Sequence, residues 1–161
     1  MRRWTPVYWA LDRVRHSSAR RVAVARASRF EGLRGHGTVL VVTFRGDGTA
    51  VPTPLSCVMQ DGRLLASTAP DSGKVKRIRR DPRALVAPAT VRGRPVGPAV
   101  EAAARILEGG EAERAEQALA GRFGPARRLY RRLIGVHPDE TAYLEFSPGG
   151  RQCTRTILPR A

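Results

Sequence analysis

The stretch Thr38-Val-Leu-Val-Val-Thr-Phe-Arg-Gly-Asp-Gly48, continued by Ala50-Val-Pro-Thr-Pro-Leu-Ser-Cys-Val-Met-Gln-Asp-Gly-Arg-Leu-Leu-Ala-Ser-Thr68, decides the fold. Its first run, Thr38 to Arg45, is rich in β-branched residues and stops at Gly46-Asp-Gly48, a hairpin turn signal. A second strand then runs from about Ala50 to Gln60 and closes on Asp61-Gly62. Residues Arg63 to Thr68 make a third. Three strands joined by two Asp-Gly turns predict an antiparallel meander.

Beyond Thr68 the pattern changes. Asp71 or Ser72 can cap a short helix that runs through about Arg80, and Asp81-Pro82 ends it. Arg83 to Ala89 reads as a fourth strand and Pro98 to Leu107 as a fifth, with Gly93 and Pro95 between them. Glu111 to Arg122 and Pro125 to Leu133 read as two helices split by Gly124. Thr141 to Phe146 makes a sixth strand, and Gln152 to Leu158 offers a seventh. Many short strands with few helices predict a mainly β, α+β chain built on a small antiparallel barrel of six to seven strands.

Upstream of the meander, residues 1–33 differ from the rest. They are rich in arginine against the two acids Asp12 and Glu31, and hold Trp4, Tyr8 and Trp9 with Leu11, Val14 and Val22 at roughly helical spacing. An amphipathic helix over 7–29 follows. The chain is thus expected to divide into an N-terminal basic, aromatic arm (1–33) and a barrel domain (34–161). The arm's helix packs on its own domain or on a partner subunit; the sharper alternative is weak contact with an anionic membrane surface.

Composition narrows the function. The 161 residues fit one domain with a core of its own. No run of about eighteen apolar residues exists to span a bilayer, and Asp12, Arg13 and Arg15 interrupt any secretory core, so the expectation is a cytoplasmic protein. The formal charge is +15, but of the 29 basic residues only Lys74 and Lys76 are lysine, leaving 27 arginines spread along the chain. No zinc-finger spacing or RNP-type aromatic motif accompanies the charge, and nucleic acid is not expected as a partner. Cys57 and Cys153 stand apart from any Cys/His cluster, which argues against a metal.

Side-chain catalysis is excluded more firmly than it is suggested. His16, His36 and His137 are far apart in sequence, and none accompanies a GxSxG, a cysteine nucleophile motif or a carboxylate cluster. There is no Walker loop and no GxGxxG after a strand. No catalytic side chain is therefore named, and the chemistry falls to a bound cofactor.

Two features can hold one. The first is Asp71-Ser-Gly-Lys-Val-Lys-Arg-Ile-Arg-Arg80, directly after a strand. Gly73 allows close backbone approach, the helix start favours an anion, Lys74 lies in the first turn, and Arg77 follows one turn on. A phosphate cradle and a capped amphipathic helix with solvated cations fit this spacing equally. The second feature is Val51-Pro-Thr-Pro-Leu-Ser56, where alternate positions cannot donate to a ladder. Either the edge of a planar heterocycle meets the backbone around Thr53 to Ser56, or this is a bulged edge strand without ligand.

Taken in order, Thr43 to Pro54, Gly62 to Thr68, Ser72 to Arg83 and Val86-Ala-Pro88 resemble the pyridoxamine 5′-phosphate oxidase-like (PPOX-class) superfamily. The likeness covers about Ala27 to Ser147, and within the superfamily it looks most like the actinobacterial branch that uses the deazaflavin coenzyme F420. The resemblance implies a split, FMN-binding-like β-barrel that forms a homodimer with cofactor sites at the subunit interface. It implies that Ser67, Thr68, Ser72 and Lys74, beside Gly73 and helped by Arg77 or Arg80, bind the cofactor phosphate, and that Thr53, Pro54, Leu55 and Ser56 flank the ring. The implied activity is hydride transfer between reduced F420 and a small organic substrate, with FMN as the alternative cofactor and a non-catalytic binding protein as the alternative role. Many relatives place an aromatic residue just after the Thr-Pro of the second strand. This chain has Leu55-Ser56-Cys57 there instead.

Overall fold

The computed structural model describes residues 24–25, 29–134 and 141–149. Its seven strands are β1 (Val24–Ala25), β2 (Thr38–Phe44), β3 (Ala50–Gln60), β4 (Arg63–Thr68), β5 (Arg83–Pro88), β6 (Ala99–Leu107) and β7 (Ala142–Pro148). Two α-helices lie between strands, α1 (Gly73–Arg80) and α2 (Gly109–Ile134). The sheet order is β1-β6-β5-β2-β3-β4-β7, and a further pairing of β6 with β7 closes six antiparallel strands into a barrel. The mainly β expectation holds, down to strand ends within two residues of those read from the sequence.

The meander is fixed by its turns. Gln60 pairs with Arg63 across Asp61-Gly62, whose φ angles are 50° and 74°. Positive φ at both central positions is the I′ turn, whose twist matches the strands it joins, and Gly62 adopts it without a β-carbon in the way. The first hairpin is looser: Arg45 N donates to Thr49 O and the Asp47 carboxylate receives Thr49 N.

Alternation sorts the side chains. Val39 and Val41 of β2, Leu55 and Cys57 of β3, Leu64 and Ala66 of β4, and Leu144 and Phe146 of β7 turn inward to one core. The opposite face of β4 and β7 gives Leu65 and Tyr143, which with Leu107 receive Ala115 and Leu119 of α2. On α1, Val75 and Ile78 join the inner core, each contributing about 1.5–3 kcal/mol of burial, so this short helix stoppers the barrel. The α2 segment carries the expected break: Gly124 has φ 52° and ψ −142°, and Pro125 follows.

Two expectations change. The helix over 7–29 falls mostly outside the described residues, as does the seventh strand over 152–158, but Val24–Ala25 is extended and not helical. It pairs in parallel with Ala99–Val100, on the rungs that β7 leaves uncovered beyond its pair Pro148 with Ala102. An open stretch of ladder offers those two residues backbone partners, and a β-branched valine suits it. Barrel packing also reaches back into the segment assigned to the arm, because Phe30 and Leu33 lie in the inner core. The short 3₁₀ turn Glu31–Leu33 delivers Leu33 there.

Candidate functional site

The site begins where β3 and β4 part. Their pairing runs from Gln60 with Arg63 to Cys57 with Ala66 and stops. Beyond that rung β3 pairs, among the described strands, with β2 alone, with Ser56 opposite Thr38 through to Ala50 opposite Phe44. Among the described strands β4 there pairs with β7 alone, with Ser67 opposite Tyr143 and Thr68 opposite Ala142. Continued, the broken register would set Ser56 against Ser67 and Leu55 against Thr68. The two segments singled out in the sequence are therefore the two banks of one split.

The prolines explain why β3 tolerates an open bank. Pro52 lies opposite Val42 and Pro54 opposite Leu40 on β2, two residues apart and so on the same side of the ladder. With no N–H to give, they fit where the backbone nitrogen turns away from β2, while Val51, Thr53 and Leu55 serve the ladder. Pro54 is half-covered by the β5–β6 loop: a β-carbon built on buried Gly93 would sit 3.4 Å from its ring. Thr53 is half-buried and Ser56 exposed. The Leu55 side chain points into the inner core and its backbone serves the β2 ladder, so the bank is offered by Pro54 and Ser56.

On the other bank, the chain leaves β4 at Thr68 and turns through Ala69, whose carbonyl accepts from Ser72 N, into α1. Lys74 Nζ donates to Thr68 Oγ1 at 2.7 Å, which folds the ammonium back over the strand end. Arg77 Nε donates to Thr43 Oγ1 at 2.8 Å, and Arg80 donates to the Phe44 carbonyl at 3.0 Å. Thr68, Ser72, Gly73, Lys74 and Arg77 thus meet around the first turn of α1, whereas Ser67, opposite Tyr143, falls by alternation on the outer face with Leu65. Arg80 instead ties the helix's last turn to the end of β2 and lies over Gly46.

One expectation about capping is corrected. Ser72 occupies the N-cap position with φ −62° and ψ 147°, yet its side chain makes no capping bond. Its hydroxyl is buried, with the residue only 6% exposed, and has no hydrogen-bond partner. A buried hydroxyl left unsatisfied costs about 1–3 kcal/mol, so such a group in a native structure calls for a partner that fills the place. Ser72 immediately precedes Gly73, and Lys74 in the same turn reaches back to Thr68 at the strand end. Ser72, the first N–H groups of α1 and the Lys74 ammonium together form a set of donors at the positive end of a helix, which is the chemistry an anionic oxygen requires. These residues fit a phosphate.

Sequence reading missed Thr43 altogether. Its signal was available: period-two alternation puts it on the face of Val39 and Val41, where a hydroxyl among apolar residues needs a donor or acceptor. It also missed the acid–base ladder on the outer face under α2. There Glu145, opposite Leu65 on β4 and Arg105 on β6, receives Arg63 at 3.1 Å and Arg105 at 2.8 Å, and Arg105 continues to both oxygens of Glu111. Burial would raise the Glu145 carboxyl, but the bonds from Arg105 and Arg63 outweigh it and hold its pKa below the ordinary value. Nearby, Tyr143 donates its hydroxyl to Glu116 at 2.8 Å. A cavity of about 410 Å³ opens at the other end of β4, between Arg34, His36, Met59, Asp61 and Arg122, and holds none of the expected site residues.

A six-stranded split barrel, with a lysine-bearing helix closing it beside a gap between two strands, defines a class of small-ligand-binding proteins. Residues 27–145 match the family Pyridoxamine 5′-phosphate oxidase, and the chain belongs to it. No curated protein matches the sequence. Among solved structures, the chain is similar to HutZ, the heme storage protein from Vibrio cholerae, with a TM-score of 0.54 and 10% identity over 92% of each chain. It is similar to a FAD-binding protein from Mesorhizobium loti, with a TM-score of 0.56 and 16% identity over 74% of this chain and 86% of that one. General Stress Protein 26 from Bacillus anthracis gives 0.52 and 20% identity over 73% and 83%. At these identities the likeness is one of fold.

Proposed function

We propose that this chain is an oxidoreductase that holds coenzyme F420 with its phosphate in the cradle from Ser67 to Lys74 and its ring against Thr53–Ser56. The observation that carries the reading is the buried, unpartnered Ser72 hydroxyl beside Lys74 at the start of α1. When bound, the cofactor supplies hydride chemistry that no side chain of this family member offers. The chain's own part is placement. Ser72, Lys74 and the first N–H groups of α1 anchor the anion, and the β3 bank lends backbone groups to the ring edge. Leu55 and Cys57 behind that bank keep the barrel side dry. Arg77, Arg79, Arg80, Arg92 and Arg94 favour the anionic tail of F420 over FMN, which lacks one.

FMN is the second reading, supported by the FAD-binding structural neighbour. Fluorescence titration of the full-length protein with F420 and with FMN at two salt concentrations separates them. F420 should bind tighter at low salt and lose more of its advantage at high salt. Tighter FMN binding at every salt would reverse the assignment.

The same reading takes the homodimer as the working unit. The open bank of β3 and the exposed Val91 and Val96 on the β5–β6 loop are surfaces of the sort a second subunit covers. Sedimentation of the purified protein should give twice the chain mass; a monomer would leave the site without its second wall.

A further inference from the structure

We propose that Thr43 is a positioning residue of the cradle, fixing the Arg77 guanidinium across the first turn of α1 so that a phosphate held there meets a preset second cation. The inference rests on the cradle reading above. Thr43 is 1% exposed and occupies the last inward-facing place of β2, beneath α1. Its hydroxyl accepts Arg77 Nε at 2.8 Å. Side chains on a helix lean toward its N-terminus, so Arg77 runs back over the residue four positions earlier. That residue is Gly73, and a β-carbon built on it would sit 2.9 Å from Arg77 Nη1.

The bond to Thr43 brings Arg77 Nη1 into the space that a side chain on Gly73 would fill. The residue just before Gly73 is Ser72, whose buried hydroxyl has no partner. A guanidinium is planar, so fixing Nε orients the donors on both terminal nitrogens. A hydroxyl does this without neutralising the charge, whereas a carboxylate in its place would form an ion pair and weaken the pull on an incoming anion. Lys74, held by Thr68, and Arg77, held by Thr43, then stand as two oriented cations on one turn.

The test compares ligands that differ only in phosphate: FMN against riboflavin, and F420 against its phosphate-free deazaflavin chromophore. Affinities are measured on the full-length protein and on Thr43→Val, Thr43→Ser and Gly73→Ala, with the thermal midpoint recorded for each. Thr43→Val should weaken the phosphate-bearing ligand about tenfold and leave its phosphate-free counterpart unchanged. Thr43→Ser should restore the affinity, and Gly73→Ala, by crowding the guanidinium, should reproduce the loss. Equal losses for both members of a pair, or none in Thr43→Val, would overturn the positioning role. If the wild type itself shows no preference for the phosphate-bearing member of either pair, the cradle reading fails, and this inference with it.

Discussion

On the α2 side of the barrel, Arg63 and Arg105 donate to carboxylates: Glu145 receives both, and Glu111 takes the fork of Arg105. At the α1 end, Lys74 and Arg77 donate to threonine hydroxyls and Arg80 to a backbone carbonyl. A carboxylate both orients and neutralises a cation, which suits a side chain that joins strands to a helix. A hydroxyl or carbonyl orients it and leaves the charge in place. On the reading proposed above, the same residue types act as fasteners on one side and as anion receptors on the other, and the two regions should respond differently to substitution.

The largest effect should come from the fastening side. Leu119, fully buried between α2 and the outer face of β4 and β7, should lose about 2–5 kcal/mol on change to alanine, read by urea unfolding. Cofactor affinity of the molecules that remain folded should be unchanged. An equal collapse of affinity would mean that the two regions are not separable.

Lys74→Ala should give the opposite pattern. Losing one charge-assisted phosphate contact should weaken F420 or FMN by about 1.5–3 kcal/mol in a fluorescence titration, with the urea midpoint little changed. An affinity that stays put would move the phosphate away from Thr68 and Ser72.

The contrast was partly visible in the sequence. The meander was legible because Asp-Gly turns and β-branched runs are local signals, and α1 was legible because Asp81-Pro82 stops a helix that Val75 and Ile78 dock. The cradle segment could be marked out, but spacing alone left it balanced against a solvated amphipathic helix. The support for the proposed cradle is tertiary: the register break after Cys57 with Ala66, which sets β3 and β4 apart, and the burial of Ser72. The Arg77–Thr43 contact links residues 34 positions apart, and Glu145 meets Arg63 across 82. No local pattern encodes such pairings, since they arise only when the barrel closes.

Glu145→Gln should have a moderate effect, about 1 kcal/mol after allowing for its half-exposed arginine partners, and one that depends on pH. The folded-state pKa lies below the ordinary 4.5, so the carboxylate's contribution is whole above that value and fades as pH falls through the lower folded one. Wild type should therefore lose stability on acidification in that window more steeply than the glutamine variant. Chemical denaturation between pH 3 and pH 7, read as the difference between the two proteins at each pH, checks this; parallel curves would place the acid sensitivity elsewhere.

The smallest expected signal is at the boundary between the two regions. Cys57 is on the last rung where β3 and β4 still pair, fully buried, with its thiol pushed up to about 12 by desolvation. At pH 8 almost none is thiolate, and none is within reach of a reagent unless the strands open. In a Cys153→Ser background, an alkylating agent should leave Cys57 unmodified over a time that fully labels the urea-unfolded chain. Saturating FMN should not alter this, because on the proposed reading the ligand fills a split that ends one rung short of the thiol. Labelling of the native protein that FMN suppresses would mean that the split extends past Cys57 in solution. The division between a closed barrel and an open cradle would then lie further down the β3–β4 hairpin than the register places it.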